Sequence, residues 1–457
     1  MLPDLTRVAA IDDVEDHLQK IVWGLGRAGF CPIPYLFEDG KLERPPVKPI
    51  PGIRLVFSDI HMVPGGTNNE KTHAANIIRC LKAIVGNGPY ALIFWSQFPG
   101  DVERMRQLIE ERAPDAGITL PLGYGRIDKN AVFKILDDAQ ADDEFDVKKL
   151  RDLILAEVAD FHTLGVAASW DSRVADAAAR TTNQLFELAG TGADRAATWD
   201  RLLAFLAIEA AGWNQAKLNV RNALDAALLP VLEDQLTLIG REGEDKPQLA
   251  SKIVAVLNEN DRPKIPPGVS PDRLNTRYLI EELPNPTQYE MWDRGVVTQL
   301  GAQFIDSPDF VRAFGTEQRL LSKDGEFFFS DLEAEEKANV KLYVVEAGPE
   351  CDHVQGKIAT HRYIAAVLAP ASVFAKRCYE KKKGRYRNAS IVDSGPLSLS
   401  GRNESHHLLI SSRCFMALAP GASVDGQPSF RLRKEFLNEV MHRYTTHARR
   451  PGVMRFE

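Results

Sequence analysis

Asp12 and Asp13 follow the short apolar run Arg7–Ile11, Asp59 follows Ile53–Ser58, and Ser96 follows Tyr90–Trp95. If those runs are neighbouring strands, the three carboxylates and the hydroxyl meet at one sheet edge. Ionised together they would repel one another unless a cation stood between them. Mg²⁺ is the expected one, since it takes hard oxygen ligands and keeps several waters. A carboxylate beside such an ion can also attack phosphorus, which makes Asp59 a candidate phosphoacceptor and Ser96 a candidate donor to the new phosphoryl oxygens. Simpler roles are open too. Asp12 can cap the helix that follows it, and Ser96 can be a turn residue.

A second set of reactive types lies in GPECDHVQGK, residues 348–357. Cys351 and His353 could ligate zinc with Cys414 and His406 or His407, given that a closed zinc site needs about four N or S ligands. Cys351 could instead be a nucleophile, with His353, His361 or His407 as its base and Asp352 orienting that base. The wide scatter of these residues also fits a structural turn carrying a partly buried cysteine. The run Lys381–Arg387, with Tyr386 inside it, could touch phosphates or stack a base, and Arg443, Arg449 and Arg450 would extend it if the terminal helix packs beside it. A solvated loop accounts for it as well.

The elements needed to place the first set are legible. Val14, Leu18, Ile21, Val22 and Leu25 recur at helical spacing after Asp13. The passage 32–52 is rich in proline, so it predicts turns and at most a short edge strand. Ile53–Ser58 is almost wholly apolar, as strands are when helices cover both sheet faces. Helices follow over Ile77–Ile84 and Val102–Ile109, Gly117–Leu122 is expected as the last strand, and Ala131–Ala139 opens the closing helix. Repeated strand–helix order predicts a doubly wound parallel α/β domain over 1–143. Residues 144–257 are Ala- and Leu-rich at helical spacing and predict a helical module, bent or interrupted at Pro230. A linker is expected at 258–275. The remainder, 276–457, predicts an α+β domain with strands at Lys341–Glu346, Tyr363–Leu368 and His407–Ser411. Its terminal helix carries Phe436, Leu437, Val440, Met441 and Tyr444 on one face.

Composition bounds the function classes. The chain has 457 residues, 44% hydrophobic and 26% charged, with a formal charge of -7. That acidity gives no general reason to expect nucleic-acid binding. Five dispersed cysteines argue against a disulfide scaffold. Without a signal-like start or an apolar run long enough to span a membrane, a cytoplasmic protein is expected.

IDD at 11–13, SDIHMVPGG at 58–66 and Ser96 resemble the receiver domain of two-component response regulators. The resemblance covers about the first third of the chain. It implies that Asp12 and Asp13 hold Mg²⁺, that Asp59 is phosphorylated and that Ser96 is the switching hydroxyl. Met62, Pro64 and Gly65 or Gly66 fit the loop after the acceptor. Lys129 is the lysine nearest to the family's phosphate-contacting position, although it lies several residues past the expected last strand, and a surface ion pair would also explain it. Asn130 stands where the family has proline. Cys351, Asp352 and the stretch from Arg431 to Val453 resemble the carboxy-terminal part of large receiver-containing bacterial proteins. That likeness implies a histidine-kinase-like ATPase as partner and a setting in stress or antiviral defence.

Together these readings give an atypical response regulator or signalling adaptor that controls protein association, with a homodimer as one form. Two alternatives stand beside it: a phosphorylation-independent scaffold of a stress or anti-phage complex, and a Cys351-dependent enzyme.

Overall fold

The computed structural model describes residues 6–62, 69–96, 99–138, 144–157, 161–242, 251–258, 264–283, 289–378, 381–382, 385–386, 390–422 and 424–448. The chain forms two compact units, Met1–Ala196 with Leu228–Pro263, and Ala197–Ala227 with Lys264–Glu457.

In the first unit, β1 (Arg7–Asp12), β2 (Cys31–Glu38), β3 (Lys41–Leu42), β4 (Leu55–Ser58), β5 (Ala91–Ser96) and β6 (Gly123–Asp128) form one sheet. Its order is β3-β2-β1-β4-β5-β6. All neighbours are parallel except β3, which turns back on the end of β2. Alternation along each strand divides the apolar residues between two cores. On one face Val8, Ala10, Leu55, Phe57, Ile93 and Trp95 pack under α1 (Glu15–Arg27). On the other, Ala9, Ile11, Val56, Leu92 and Phe94 pack under α2 (Glu70–Ile84) and α3 (Val102–Arg112). This is the doubly wound α/β arrangement. Every residue of β4 and β5 is buried, so large side chains there contribute roughly 1.5–3 kcal/mol each.

The prolines of β2 do not break it. Only Phe37 and Glu38 pair with β3, so the stretch holding Pro32 and Pro34 has an open edge, where a missing N–H costs no ladder bond. The last strand differs from expectation. Gly117–Leu122 is not a strand, and Leu120 and Leu122 are exposed. β6 is GYGRID, two glycines and all. A Cβ on Gly123 would stand 2.2 Å from the Phe161 ring, and one on Gly125 would stand 2.7 Å from Ile93 Cδ1. Those glycines mark close packing, not a loop. α4 (Lys129–Asp138) therefore begins directly after β6.

α5 (Glu144–Glu157) and α6 (His162–Glu187) add Leu150, Ile154, Leu164 and Ala168 to the α1 face of the sheet. Further on are α7 (Arg195–Ala211), α8 (Trp213–Leu218), α9 (Val220–Glu242) and α10 (Ser251–Leu257); α9 is assigned as helix through Pro230. The helical middle is thus divided between the two units. Part of the expected linker is helical, because Ser270 caps Pro271–Leu279 by accepting from the Arg273 amide.

The second unit holds β7 (Ile280–Glu282), β8 (Val296–Leu300), β9 (Lys341–Glu346), β10 (His361–Pro370), β13 (Ile391–Leu397), β14 (His406–Leu418) and β15 (Gly426–Leu432) in an antiparallel sheet ordered β13-β14-β10-β9-β8-β15-β7. A separate hairpin joins β11 (Lys381–Lys382) to β12 (Arg385–Tyr386), and the rest of that basic run lies outside the described residues. One sheet face packs Leu342, Val344 and Tyr363 against Phe310, Phe327 and Phe329. The other packs Val345 and Ile364 against Phe436, Leu437 and Val440 of the helix Lys434–Ala448. Among the described residues no helix is long and apolar enough to cross a membrane.

Candidate phosphoacceptor site

β1 and β4 are neighbours that send their next helices to opposite faces, which opens a crevice beyond their carboxyl ends. Asp12 ends β1, Asp59 follows β4 directly, and Ser96 ends β5; all three are buried. Asp13 is half-buried. One ligand atom from each of Asp12, Asp13 and Asp59 lies within 4.8 Å of the others, which makes them the one such group of acidic, histidine or cysteine side chains among the described residues. This donor set of hard oxygens fits Mg²⁺.

Lys129 is the residue that sequence reading placed least well. With β6 ending at Asp128, it occupies the first turn of α4, and only 2% of it is exposed. Its Nζ stands 2.7 Å from Asp12 Oδ2 and 2.7 Å from Asp59 Oδ2, and 4.9 Å from the centre of the Trp95 ring. A solvent-facing ion pair is excluded by that burial. The remaining carboxylate oxygens meet backbone donors. Asp12 Oδ1 accepts from the Val14 amide at 2.9 Å, and Asp59 Oδ1 from Ile60 at 2.7 Å and His61 at 3.4 Å. Asp12 therefore also steadies the entry to α1. The Asn130 amide, which a proline would lack, donates to Asp128 Oδ1.

Burial pushes the Asp13 carboxyl up to about 6, with the charges of Asp59 and Asp12 adding to the effect. Burial also raises Asp12, against the opposing pull of Lys129. A site that resists ionisation in this way gains from an added cation. Trp95 and His61 escaped the sequence reading. Trp95 looked like core alone, and His61, whose Nε2 is 3.2 Å from Asp101 Oδ2, carried no signal beyond its place two residues after Asp59. Met62 is fully buried, while Pro64, Gly65 and Gly66 lie outside the described residues.

Cys351, His353, His407 and Cys414 are not gathered into one ligand set. Cys351 is exposed, and its thiol donates to Asp352 Oδ1 at 3.4 Å. His353 faces Glu346. His407 pairs with Asp393 at 2.9 Å and stacks on Phe374. His406 sits between the Glu404 carbonyl and Arg402, and burial raises the Cys414 thiol above its ordinary value.

Among solved structures, full-length FixJ from B. japonicum is similar over part of the chain, at 15% sequence identity and a TM-score of 0.19, with 52% of this chain and 99% of that one covered. No protein-family model matches the sequence, and no curated protein does.

Proposed function

We propose that the first unit is a receiver-type phosphoacceptor, which takes a phosphoryl group on Asp59 and thereby controls association with a protein partner. One observation carries this: a buried lysine bridges Asp12 and Asp59 at 2.7 Å on each side, beside Asp13. Asp12 and Asp13, with Asp59, would hold Mg²⁺, which when bound supplies positive charge opposite the transferred oxygens. An Asp59 carboxylate oxygen attacks phosphorus as the bond to the donor breaks, and the electron pair leaves with the donor. Lys129, already at Asp59, follows the negative charge from carboxylate to phosphoryl oxygen through a charge-assisted hydrogen bond. Ser96 supplies a hydroxyl from the end of β5. The new charge then changes packing around α4, and the change is passed on as a change of association. A histidine-kinase-like ATPase fits as donor.

The test is incubation of the full chain with acetyl phosphate and Mg²⁺, followed by intact-mass analysis. One added phosphoryl group, labile to hydroxylamine, is expected on the native protein, absent from Asp59→Asn and absent without Mg²⁺. An unmodified native protein beside a competent control would refute the proposal.

A further inference from the structure

Glu346 ends β9 and is fully buried. Tyr363 stands opposite it in the β9–β10 ladder, so His361, two residues earlier in β10, is its diagonal neighbour on the same face. After β9 the chain turns through Gly348 into the short helix Glu350–Gln355, which returns His353 to the same carboxylate. His353 Nε2 is 2.9 Å from Glu346 Oε2, and His361 Nδ1 is 3.7 Å from Glu346 Oε1. Both imidazoles are about nine-tenths buried, at 12% and 11% side-chain exposure. Glu346 also accepts from the Gly348 and Arg362 amides.

Among the described residues no lysine or arginine pairs with Glu346. A carboxylate taken wholly out of water needs a compensating positive charge. One protonated imidazole would supply it and leave the second unexplained. Yet both nitrogens face the carboxylate, and neither is in hydrogen-bond geometry with any partner. The three ligand atoms are more widely spaced than those of Asp12, Asp13 and Asp59, yet a buried carboxylate faced by two imidazole nitrogens is a donor set that a shared cation can draw together. Gly348 lies close against the set, since a Cβ there would fall 2.8 Å from both Glu346 Oε1 and His353 Nε2.

We propose that Glu346, His353 and His361 bind a borderline divalent transition-metal cation of the Zn²⁺ class, with one position left for water or an exogenous ligand. Two imidazoles and a carboxylate suit such ions better than Mg²⁺. With metal–nitrogen distances near 2.0–2.1 Å, two imidazoles on one ion place their ring centres roughly 5–6 Å apart. Those of His353 and His361 are 6.5 Å apart, so binding requires the two side chains to draw together by roughly 1 Å. Cys351, on the same short helix but exposed, stays outside it.

The experiment uses the chelator-stripped full chain, titrated with Zn²⁺ and, as a spectroscopic probe, Co²⁺. One tightly held equivalent is expected, with a Co²⁺ visible spectrum lacking the near-ultraviolet thiolate band. It should persist in Cys351→Ser and in the double variant Asp12→Asn/Asp59→Asn, which removes the acidic site of the first unit. It should weaken by more than about a hundredfold, beyond the cost of losing a supporting hydrogen bond, in His361→Gln and in His353→Gln, with circular dichroism checking the fold of each. Unchanged binding in both histidine variants overturns the assignment. So does failure of the native chain to retain either metal at micromolar concentration, which would leave proton balance by the imidazoles as the role of the cluster.

Discussion

Each unit buries a carboxylate, and the two differ in what stands opposite it. Asp12 and Asp59 share Lys129, whose ammonium is fixed at the start of a helix. Glu346 meets two imidazoles, which carry charge only when a proton is present. A fixed cation makes a site that is closed by default and must be rearranged when another positive charge arrives. A pair of conditional bases makes a site that waits for its charge. The first arrangement suits a switch driven by modification of an acid, the second a resident ion.

The largest expected effect breaks the fixed cation. Lys129→Met keeps the length and removes the charge, leaving Asp12 and Asp59 buried and facing one another. Removing one partner of a buried pair costs roughly 3–5 kcal/mol, read as a lower urea midpoint at unchanged slope. Mg²⁺ should recover part of it, about 2.7 kcal/mol at a hundred times its Kd. A variant as stable as the native chain without Mg²⁺ would mean that Lys129 compensates nothing.

How much of this was readable in sequence follows from which residues carry a pattern. Asp12, Asp59 and Ser96 end apolar runs, so strand periodicity alone placed them together. Lys129 was misplaced because the last strand was expected at Gly117–Leu122, short of Gly123 and Gly125, which carry no side chain so that Phe161 and Ile93 can pack on the strand. Nothing local announces a partner that arrives from a helix some forty residues later. Glu346 was hidden in the opposite way. It ends the apolar strand KLYVVE, where an acid ordinarily meets water, and only the returning helix and the start of β10 bury it. Cys351 drew notice by type, yet burial and partners belong to its neighbours.

Gly123 tests whether the position of Lys129 depends on that packing. Gly123→Val forces a side chain into the Phe161 ring, an overpacking that costs roughly 1–3 kcal/mol. Because β6 sets where α4 begins, Asp59 phosphorylation by acetyl phosphate should slow as well, measured as the initial rate of mass gain. Loss of stability with an unchanged rate would separate strand packing from the site.

Against these, Glu346→Gln should do little when metal is absent. With its oxygen at the Oε2 position the amide still accepts from Gly348 and gives up only the long 3.5 Å contact from the Arg362 amide to Oε1, and the substitution removes a buried charge that lacks a permanent partner. A change within about 1 kcal/mol is expected in chelator. Destabilisation as large as that of Lys129→Met would show that Glu346 is firmly paired with an imidazolium, and the contrast between the units would collapse.

The finest probe is pH at Asp13. Its carboxyl is pushed up to about 6 from an ordinary 3.8, mainly by burial. The folded protein therefore holds this proton more tightly than the unfolded chain does. The resulting stabilisation is complete below the unfolded value and is lost as pH rises through the folded one. Without metal, the native chain should lose stability relative to Asp13→Asn between about pH 4 and 6. Bound Mg²⁺ favours the ionised form and draws the folded value back toward the unfolded one, so saturating magnesium should flatten that loss across the same window. Denaturation curves at three pH values, with and without Mg²⁺, decide it. Parallel behaviour of the two proteins in both series would place Asp13 outside the electrostatics of the site and leave Asp12, Asp59 and Lys129 to account for it alone.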